Sequence, residues 1–82
     1  EAMHHIANDR IETLQFEIKE TSKLANRSLA SLKLKQNILI AAIIRNNKTI
    51  FPTGEDVLTV GDRIVVITLL KNITRTSDML AR

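Results

Sequence analysis

Two long apolar runs dominate the pattern of hydrophobic and polar positions along the chain. Ile38 to Ile44 is unbroken and rich in isoleucine, and Arg63 to Leu70 is apolar over most of its length. β-Branched side chains favour extended backbone, and both runs have the length of a strand. A strand with one solvated face alternates apolar with polar residues, and neither run does so. We therefore predict that both strands need cover on both faces, part of it from another chain or domain.

A hairpin is predicted directly after the first run. Four polar residues, Arg45 to Lys48, separate it from a second short apolar piece. Asn46 and Asn47 would occupy the centre of a two-residue type I′ turn, which needs positive φ at both positions. Asn tolerates positive φ better than other non-glycine residues, so this pair favours the tight turn.

A third strand and two turns complete the predicted sheet. Ile11 to Lys19 alternates apolar and polar residues in its second half, which is typical of a half-buried strand. Residues 53–56 are predicted to form a turn, followed by the short apolar segment Val57 to Val60. A second turn is expected at Gly61 and Asp62, because Gly adopts positive φ freely and Asp bonds nearby N–H groups.

Two helices are expected beside this sheet. Asn26 suits a left-handed position, and Ser28 is a plausible N-cap for a short helix over Leu29 to Lys33. Asn72 would cap a last helix from Ile73 to about Ala81. The predicted fold class is therefore α+β: a small, mainly antiparallel β-sheet with a short helix after the first strand and a C-terminal helix.

Length and composition indicate one small domain. The chain has 82 residues, of which 44% are hydrophobic, and no cysteine. This composition excludes a disordered chain, disulfides and cysteine metal sites. Residues 1–10 are interpreted as a linker from a preceding domain or a tag remnant, and residues 11–82 as the folded domain. His4 and His5 lie in that linker, and no third histidine completes a metal site.

The charge pattern argues against a nucleic-acid binder. The formal net charge is +3, but the positive residues are spread along the chain without a basic run. Phe16 and Phe51 are the only aromatic residues and both have apolar neighbours, so no stacking platform for single strands is expected. The longest apolar run falls well short of the roughly 20 residues that span a bilayer, and no stretch resembles a signal peptide.

Catalytic chemistry is not expected either. A Ser–His–Asp arrangement cannot be built from histidines in the terminal linker. Glu55, Asp56 and Asp62 lie close in sequence, and we interpret them as solvated turn residues with nothing nearby to desolvate them. The chain has no Gly-rich phosphate loop, since its only glycines are Gly54 and Gly61.

One stretch of the chain resembles a known family. Ile50-Phe51-Pro52-Thr53-Gly54 is followed by the apolar Leu58 and then by Gly61-Asp62 and an apolar strand. This order is similar to the TrkA C-terminal domain, the C-terminal subdomain of regulators of potassium conductance. The resemblance covers about Ile11 to Leu80, with Asn26 where members often carry Gly. The residues assigned to the structural motif are Pro52, Gly54, Leu58, Gly61 and Asp62.

The resemblance implies a regulatory role. Such domains are dimeric and belong to cytosolic subunits that control potassium transport, at the inner face of the membrane. The implied partners are a second copy of the chain and, through the full-length protein, a membrane potassium transporter or channel. The alternative is a purely structural dimerisation module of another exchanger or anion carrier.

The resemblance also implies a candidate ligand site. Some relatives bind cyclic di-AMP between two subunits, through an Asn-Ile pair that opens a strand and a proline on the next strand. Asn37, Ile38 and Pro52 match these positions. The basic residue that meets phosphate in such relatives corresponds here to Ser31. No other cofactor and no metal are expected in this fragment.

Overall fold

One four-stranded sheet organises residues 11–81, the part of the chain that the computed structural model describes. The strands are β1 (Glu12–Glu17), β2 (Ile38–Arg45), β3 (Lys48–Ile50) and β4 (Arg63–Thr68). Their spatial order is β1-β4-β2-β3, and every neighbouring pair is antiparallel. The predicted small antiparallel sheet is confirmed. The linker proposed for residues 1–10 lies outside the described residues.

The hairpin between β2 and β3 has the predicted two-residue turn. Arg45 pairs with Lys48 across the strands. Asn46 and Asn47 between them have φ values of 53° and 64°. Both therefore occupy the left-handed region that a type I′ turn requires.

The predicted helix at Leu29–Lys33 is wrong: the chain forms only a 3₁₀ turn at Leu29–Ser31. Ser28 makes no side-chain capping bond there, and its backbone pairs instead with Val57 in an isolated bridge. The N–H groups of residues 29 and 30 donate to the carbonyl oxygens of residues 56 and 54, at 2.9 and 2.8 Å. The turn at residues 53–56 thus holds the 3₁₀ turn in place, and the helix does not extend beyond Ser31.

The predicted C-terminal helix is also wrong, since only a 3₁₀ turn forms, at Thr76–Met79. Asn72 does not cap it and has a φ of 68°. Leu80 then pairs with Leu34 in an isolated bridge, and the Ala81 N–H donates to the Lys33 carbonyl oxygen at 2.6 Å. This extended pairing ends the turn, because the Ala81 N–H cannot also donate to a carbonyl oxygen of the turn.

The hydrophobic core lies on one face of the sheet, where loops and 3₁₀ turns cover the central strands. The Ile43, Ile64 and Val66 side chains from β2 and β4 are fully buried. The fully buried side chains that cover them come from the connecting segments: Ile18, Leu24, Leu58 and Met79. Leu58, one of the residues assigned to the structural motif, thus lies in the core.

A β-bulge at Ala41 explains why the first apolar run does not alternate. Ile40 pairs with Val66, but Ala42 pairs with Val65, so one residue is inserted between two successive pairs. The extra residue shifts the phase of the strand. Ile40 and Ile43, three positions apart, consequently point to the same core face, where both are buried.

The opposite face of the sheet lacks a covering layer among residues 11–81. Leu39 on β2 is 59% exposed, and Leu69 just beyond β4 is 47% exposed. Neither 3₁₀ turn lies on this face, because Leu29 of the first packs against the core cluster on the other side and Met79 of the second belongs to that cluster. No helix in the described residues is long and apolar enough to cross a membrane.

Candidate functional site

A shallow groove on the open face of the sheet contains two of the three predicted ligand residues. It has a volume of about 350 Å³ and lies at the start of β2, beside the end of β4. Asn37 and Ile38 lie at one side of it. The rest of its lining is mainly apolar and includes Ile11, Leu39, Ile67 and Leu69.

Asn37 is held in place through its backbone. Its φ of 68° lies in the left-handed region, which Asn tolerates at low cost. Its carbonyl oxygen accepts hydrogen bonds from Thr68 Oγ1 at 2.8 Å and from the Leu69 N–H at 3.2 Å. Within residues 11–81 its exposed side-chain amide makes no hydrogen bond. The amide therefore remains available to a ligand.

Ile38 and Pro52 lie in different surroundings. Ile38 is half-buried, pairs with Thr68 and packs at the edge of the core while also lining the groove. Pro52 is half-buried after the end of β3 and does not line the groove. One copy of the chain thus brings together Asn37 and Ile38, but not Pro52.

Ser31, at the position where the resemblance implies a basic residue, has an arginine beside it. Arg27 Nη2 donates to the Ser31 carbonyl oxygen at 2.8 Å, and the Ser31 hydroxyl donates to the Ser28 carbonyl oxygen at 2.7 Å. The sequence analysis did not single out Arg27. Its position four residues before Ser31, outside any predicted helix, gave no pattern that would have identified it.

An ion pair between the partly exposed Arg45 and the buried Asp62 holds the end of β2 against the turn before β4. Arg45 Nε and Nη2 donate to the two carboxylate oxygens of Asp62 at 2.8 and 2.7 Å. The Thr59 N–H adds a third bond to Asp62 at 2.9 Å, and Arg45 Nη2 also donates to the Val57 carbonyl oxygen at 2.9 Å. Asp62 is only 2% exposed. The expectation that it is a solvated turn residue is therefore wrong.

The same contacts shift the pKa values of both partners. The hydrogen bonds from Arg45 lower the pKa of Asp62, and burial opposes them only in part. The hydrogen bond to Asp62 in turn raises the pKa of Arg45. Both groups are thus charged in the folded chain, and their arrangement suits a structural clamp rather than proton transfer.

The family of the chain follows from comparison with known proteins. The sequence model described as the TrkA-C domain matches residues 13–81, which is most of the chain. The chain belongs to the TrkA-C domain family. The resemblance proposed from the sequence is thereby confirmed.

Relatives of this TrkA-C domain are potassium uptake proteins by name. A Trk system potassium uptake protein TrkA homolog from Archaeoglobus fulgidus is 33% identical over 64 residues, which are 78% of this chain and 15% of the relative. The Trk system potassium uptake protein TrkA of Azorhizobium caulinodans is 30% identical over 77 residues, 94% of this chain and 17% of the relative. The chain thus spans less than a fifth of the length of these relatives.

A solved structure shares the fold of this TrkA-C domain. It is described as an RCK domain with cda, and it superposes with a TM-score of 0.61 at 32% sequence identity. The match covers 72% of this chain and 81% of that one.

The motif residues of this TrkA-C domain lie in the segment between β3 and β4. Gly61 has a φ of 96°, which other residues adopt only with strain. At Gly54 a Cβ would come within 3.2 Å of the Ala30 Cβ, so the absence of a side chain lets the two segments approach closely. Within residues 11–81, no three His, Cys, Asp or Glu side chains are placed to hold a metal ion.

Proposed function

We propose that this TrkA-C domain is a regulatory, ligand-sensing and dimerisation domain of a cytosolic subunit that controls potassium transport across a membrane. The observation that carries the proposal is the apolar groove at Asn37 and Ile38 on the uncovered face of the sheet. The names of the potassium uptake relatives support the transport system. In this role the domain catalyses no reaction and acts at the inner face of the membrane through its full-length protein.

The uncovered face supports dimerisation. Ile11, Leu39 and Leu69 all line the groove and are 41%, 59% and 47% exposed. A domain of this size buries only about 60–65% of the surface of its unfolded chain, so further burial stabilises it appreciably. A second copy is the proposed occupant, because its identical apolar surface would give a two-fold interface without unpaired charges.

The proposed ligand is cyclic di-AMP, bound where the two copies meet. The free amide of Asn37 would hydrogen-bond the ligand, and Ile38 would contact it through its apolar side chain. Pro52 is outside the groove of a single copy, so in this proposal it reaches the ligand only from the second copy. The likeness to the RCK domain described as with cda supports a ligand at this fold.

Such a ligand would regulate without chemistry. A ligand bound between two copies favours the dimer geometry for which it has the higher affinity. A coupling free energy of about 1–3 kcal/mol between ligand and dimer geometry is enough for a useful response.

A thermal-shift titration with cyclic di-AMP tests the proposal. The wild-type chain should melt at a higher temperature with the ligand, because a ligand that binds only the folded state stabilises it. Asn37→Gly removes the amide but keeps a residue that adopts positive φ, so the fold should survive while the ligand-induced shift is lost. Asn72→Gly is the matched control, since Asn72 has the same φ of 68° and does not line the groove.

Two results would contradict ligand sensing. One is a melting temperature that cyclic di-AMP leaves unchanged in a chain that sedimentation shows to be dimeric, which leaves only the structural dimerisation role. The other is an equal loss of the ligand-induced shift in Asn37→Gly and Asn72→Gly, which would remove the Asn37 amide from the site.

A further inference from the structure

A second groove, separate from the Asn37 groove, lies beside the second half of β1. It has a volume of about 600 Å³ and runs between the loop after β1, residues 19–23, and the segment 74–77 around the second 3₁₀ turn. Ligand pockets for small molecules typically enclose about 300–1,000 Å³, so its size fits one. None of its lining residues belongs to the site proposed for cyclic di-AMP.

The groove concentrates positive charge from two distant parts of the chain. Lys19, Lys23 and Arg75 line it, and Glu17 is the one carboxylate among its lining residues. Within residues 11–81 the ion pair of Arg45 with Asp62 is the only one with a separation of 4.0 Å or less. The three cations of the groove therefore have no close carboxylate partner in the described chain.

A pair of hydroxyl groups connects the two walls and leaves one proton unused. Ser22 Oγ and Thr76 Oγ1 are 3.0 Å apart, and either can be the donor. Ser22 Oγ also accepts a bond from the Leu24 N–H at 3.1 Å. The two hydroxyl groups carry two protons, and the hydrogen bond between them uses one of these, whichever hydroxyl is the donor. The other proton remains available to an acceptor in the groove.

Two backbone donors at the second wall, the N–H groups of Thr74 and Arg75, are already occupied. The Asp78 carboxylate accepts bonds from the N–H groups of Thr74 and Arg75, each at 3.0 Å. These bonds lower the pKa of Asp78, so its carboxylate is ionised and partly offsets the positive charge of Arg75, although the two side chains form no ion pair. These two N–H groups are not free to bind a ligand, so the cationic side chains of both walls are its main charged contacts, which favours an acceptor with several charged oxygens.

We propose that this groove binds phosphate groups of a small soluble molecule. A phosphate presents several anionic oxygens, which match the ammonium groups of Lys19 and Lys23, the guanidinium of Arg75 and the free hydroxyl proton. The side chains extend from two loops that a hydrogen bond already joins, so binding orders these side chains without requiring the two loops to come together. The inference is independent of cyclic di-AMP binding at Asn37.

Titration with inorganic pyrophosphate tests this inference. We expect the full 82-residue chain to bind it, with amide chemical-shift changes concentrated at residues 19–23 and 74–77. The double variant Lys23→Gln and Arg75→Gln should raise the dissociation constant about tenfold or more, since it removes a cation from each wall. Both residues are exposed, so the variant should remain folded, which circular dichroism verifies.

Lys48→Gln is the control for general electrostatic attraction. Lys48 is an exposed lysine on β3 and does not line the groove, so its loss should change the dissociation constant less than about twofold. An equal weakening in Lys48→Gln, chemical-shift changes spread over all lysines, or no binding at millimolar pyrophosphate would overturn the inference. Binding to vesicles of anionic phosphatidylglycerol without binding to pyrophosphate would also overturn it, because the phosphate source would then be a membrane surface.

Discussion

Asp62 joins three segments of the chain that are far apart in sequence. Its carboxylate binds Arg45 at the end of β2 and the Thr59 N–H in its own turn. Its carbonyl oxygen accepts the Ile18 N–H at 2.7 Å, while the Gly61 N–H donates to the Ile18 carbonyl oxygen at 2.8 Å. The turn therefore connects the end of β1, the end of β2 and the start of β4, which makes Asp62 the residue on which the local fold depends most.

Asp62→Asn should lower the free energy of unfolding by about 2 kcal/mol. Asparagine keeps the size of the side chain but loses the charge, so the bidentate pairing with Arg45 cannot be maintained in this buried position. Urea denaturation monitored by circular dichroism measures the change. Glu55→Gln makes the same chemical change at an exposed position and should leave stability nearly unaltered. Equal unfolding midpoints for the two variants would contradict the role given to Asp62.

The lowered pKa of Asp62 predicts a loss of stability in acid. A carboxylate whose folded-state pKa is depressed contributes its full stability above the unfolded value, 3.8, and loses it as pH falls through the lower folded value. Stability should therefore drop as pH falls below about 4. Denaturation at several pH values should show a shallower acid dependence for Asp62→Asn than for wild type. Parallel curves would mean that other carboxylates, such as Asp78, cause the whole effect.

At the scale of elements, local backbone chemistry governs the hairpin and long-range contacts govern the helical segments. The β2–β3 turn depends on two adjacent asparagines with positive φ. The predicted helices shrink to single 3₁₀ turns, because the residues that follow the two turns pair with each other through the Lys35 and Ala81 N–H groups. Isolated short helices have little stability of their own, so such competition decides the outcome.

Asn47 offers a test of the hairpin turn. Asn47→Ala should lower the free energy of unfolding by about 1 kcal/mol, because alanine adopts a left-handed conformation only with steric strain. Asn47→Gly should be at least as stable as wild type, since Asn-Gly is the favoured type I′ pair. Chemical denaturation of both variants measures the difference. Equal stability of the alanine and glycine variants would show that backbone strain at the Asn47 φ of 64° does not determine the stability of the turn.

At the scale of the whole molecule, the two faces of the sheet have different roles. One face carries the complete core, whereas the other presents exposed leucines around the Asn37 groove. The bulge at Ala41 makes this division possible, because it directs Ile40 and Ile43 to the core face and Leu39 to the other. The proposed dimer would cover the second face.

Aspartate substitutions on the two faces should have different consequences. Ile43→Asp places a charge in the fully buried core and should unfold the chain, since its cost is comparable to the total stability of a small domain. Leu39→Asp should leave a folded monomer, because it disrupts only the exposed face. Circular dichroism and analytical ultracentrifugation separate the two outcomes.

Val60→Asp is the control for this pair. Val60 is 47% exposed but lies outside the Asn37 groove, so this variant should remain folded and dimeric. A wild-type chain that stays monomeric at high concentration would contradict the proposed dimer. Dissociation by Val60→Asp but not by Leu39→Asp would instead place the interface on another surface.

The sequence by itself determined those features that depend on neighbouring residues. The Asn46–Asn47 turn, the Gly61 turn and the apolar strands are local, because positive φ and β-branching act within one or two residues. The order of Pro52, Gly54, Leu58, Gly61 and Asp62 was sufficient to identify the family. In the candidate site, the positions of Asn37 and Ile38 side by side follow from their adjacency in the chain.

Only the tertiary structure decided the features that depend on distant residues. The bulge at Ala41 depends on register with β4, the burial of Asp62 on Arg45, and the short 3₁₀ turns on pairing with segments far away in sequence. The separation of Pro52 from the groove and the convergence of Lys23 with Arg75 likewise arise from the path of the folded chain. Segments that are distant in sequence compete to pair with the same backbone N–H groups and to fill the same buried space. The order of apolar and polar residues along the chain does not determine which segment succeeds.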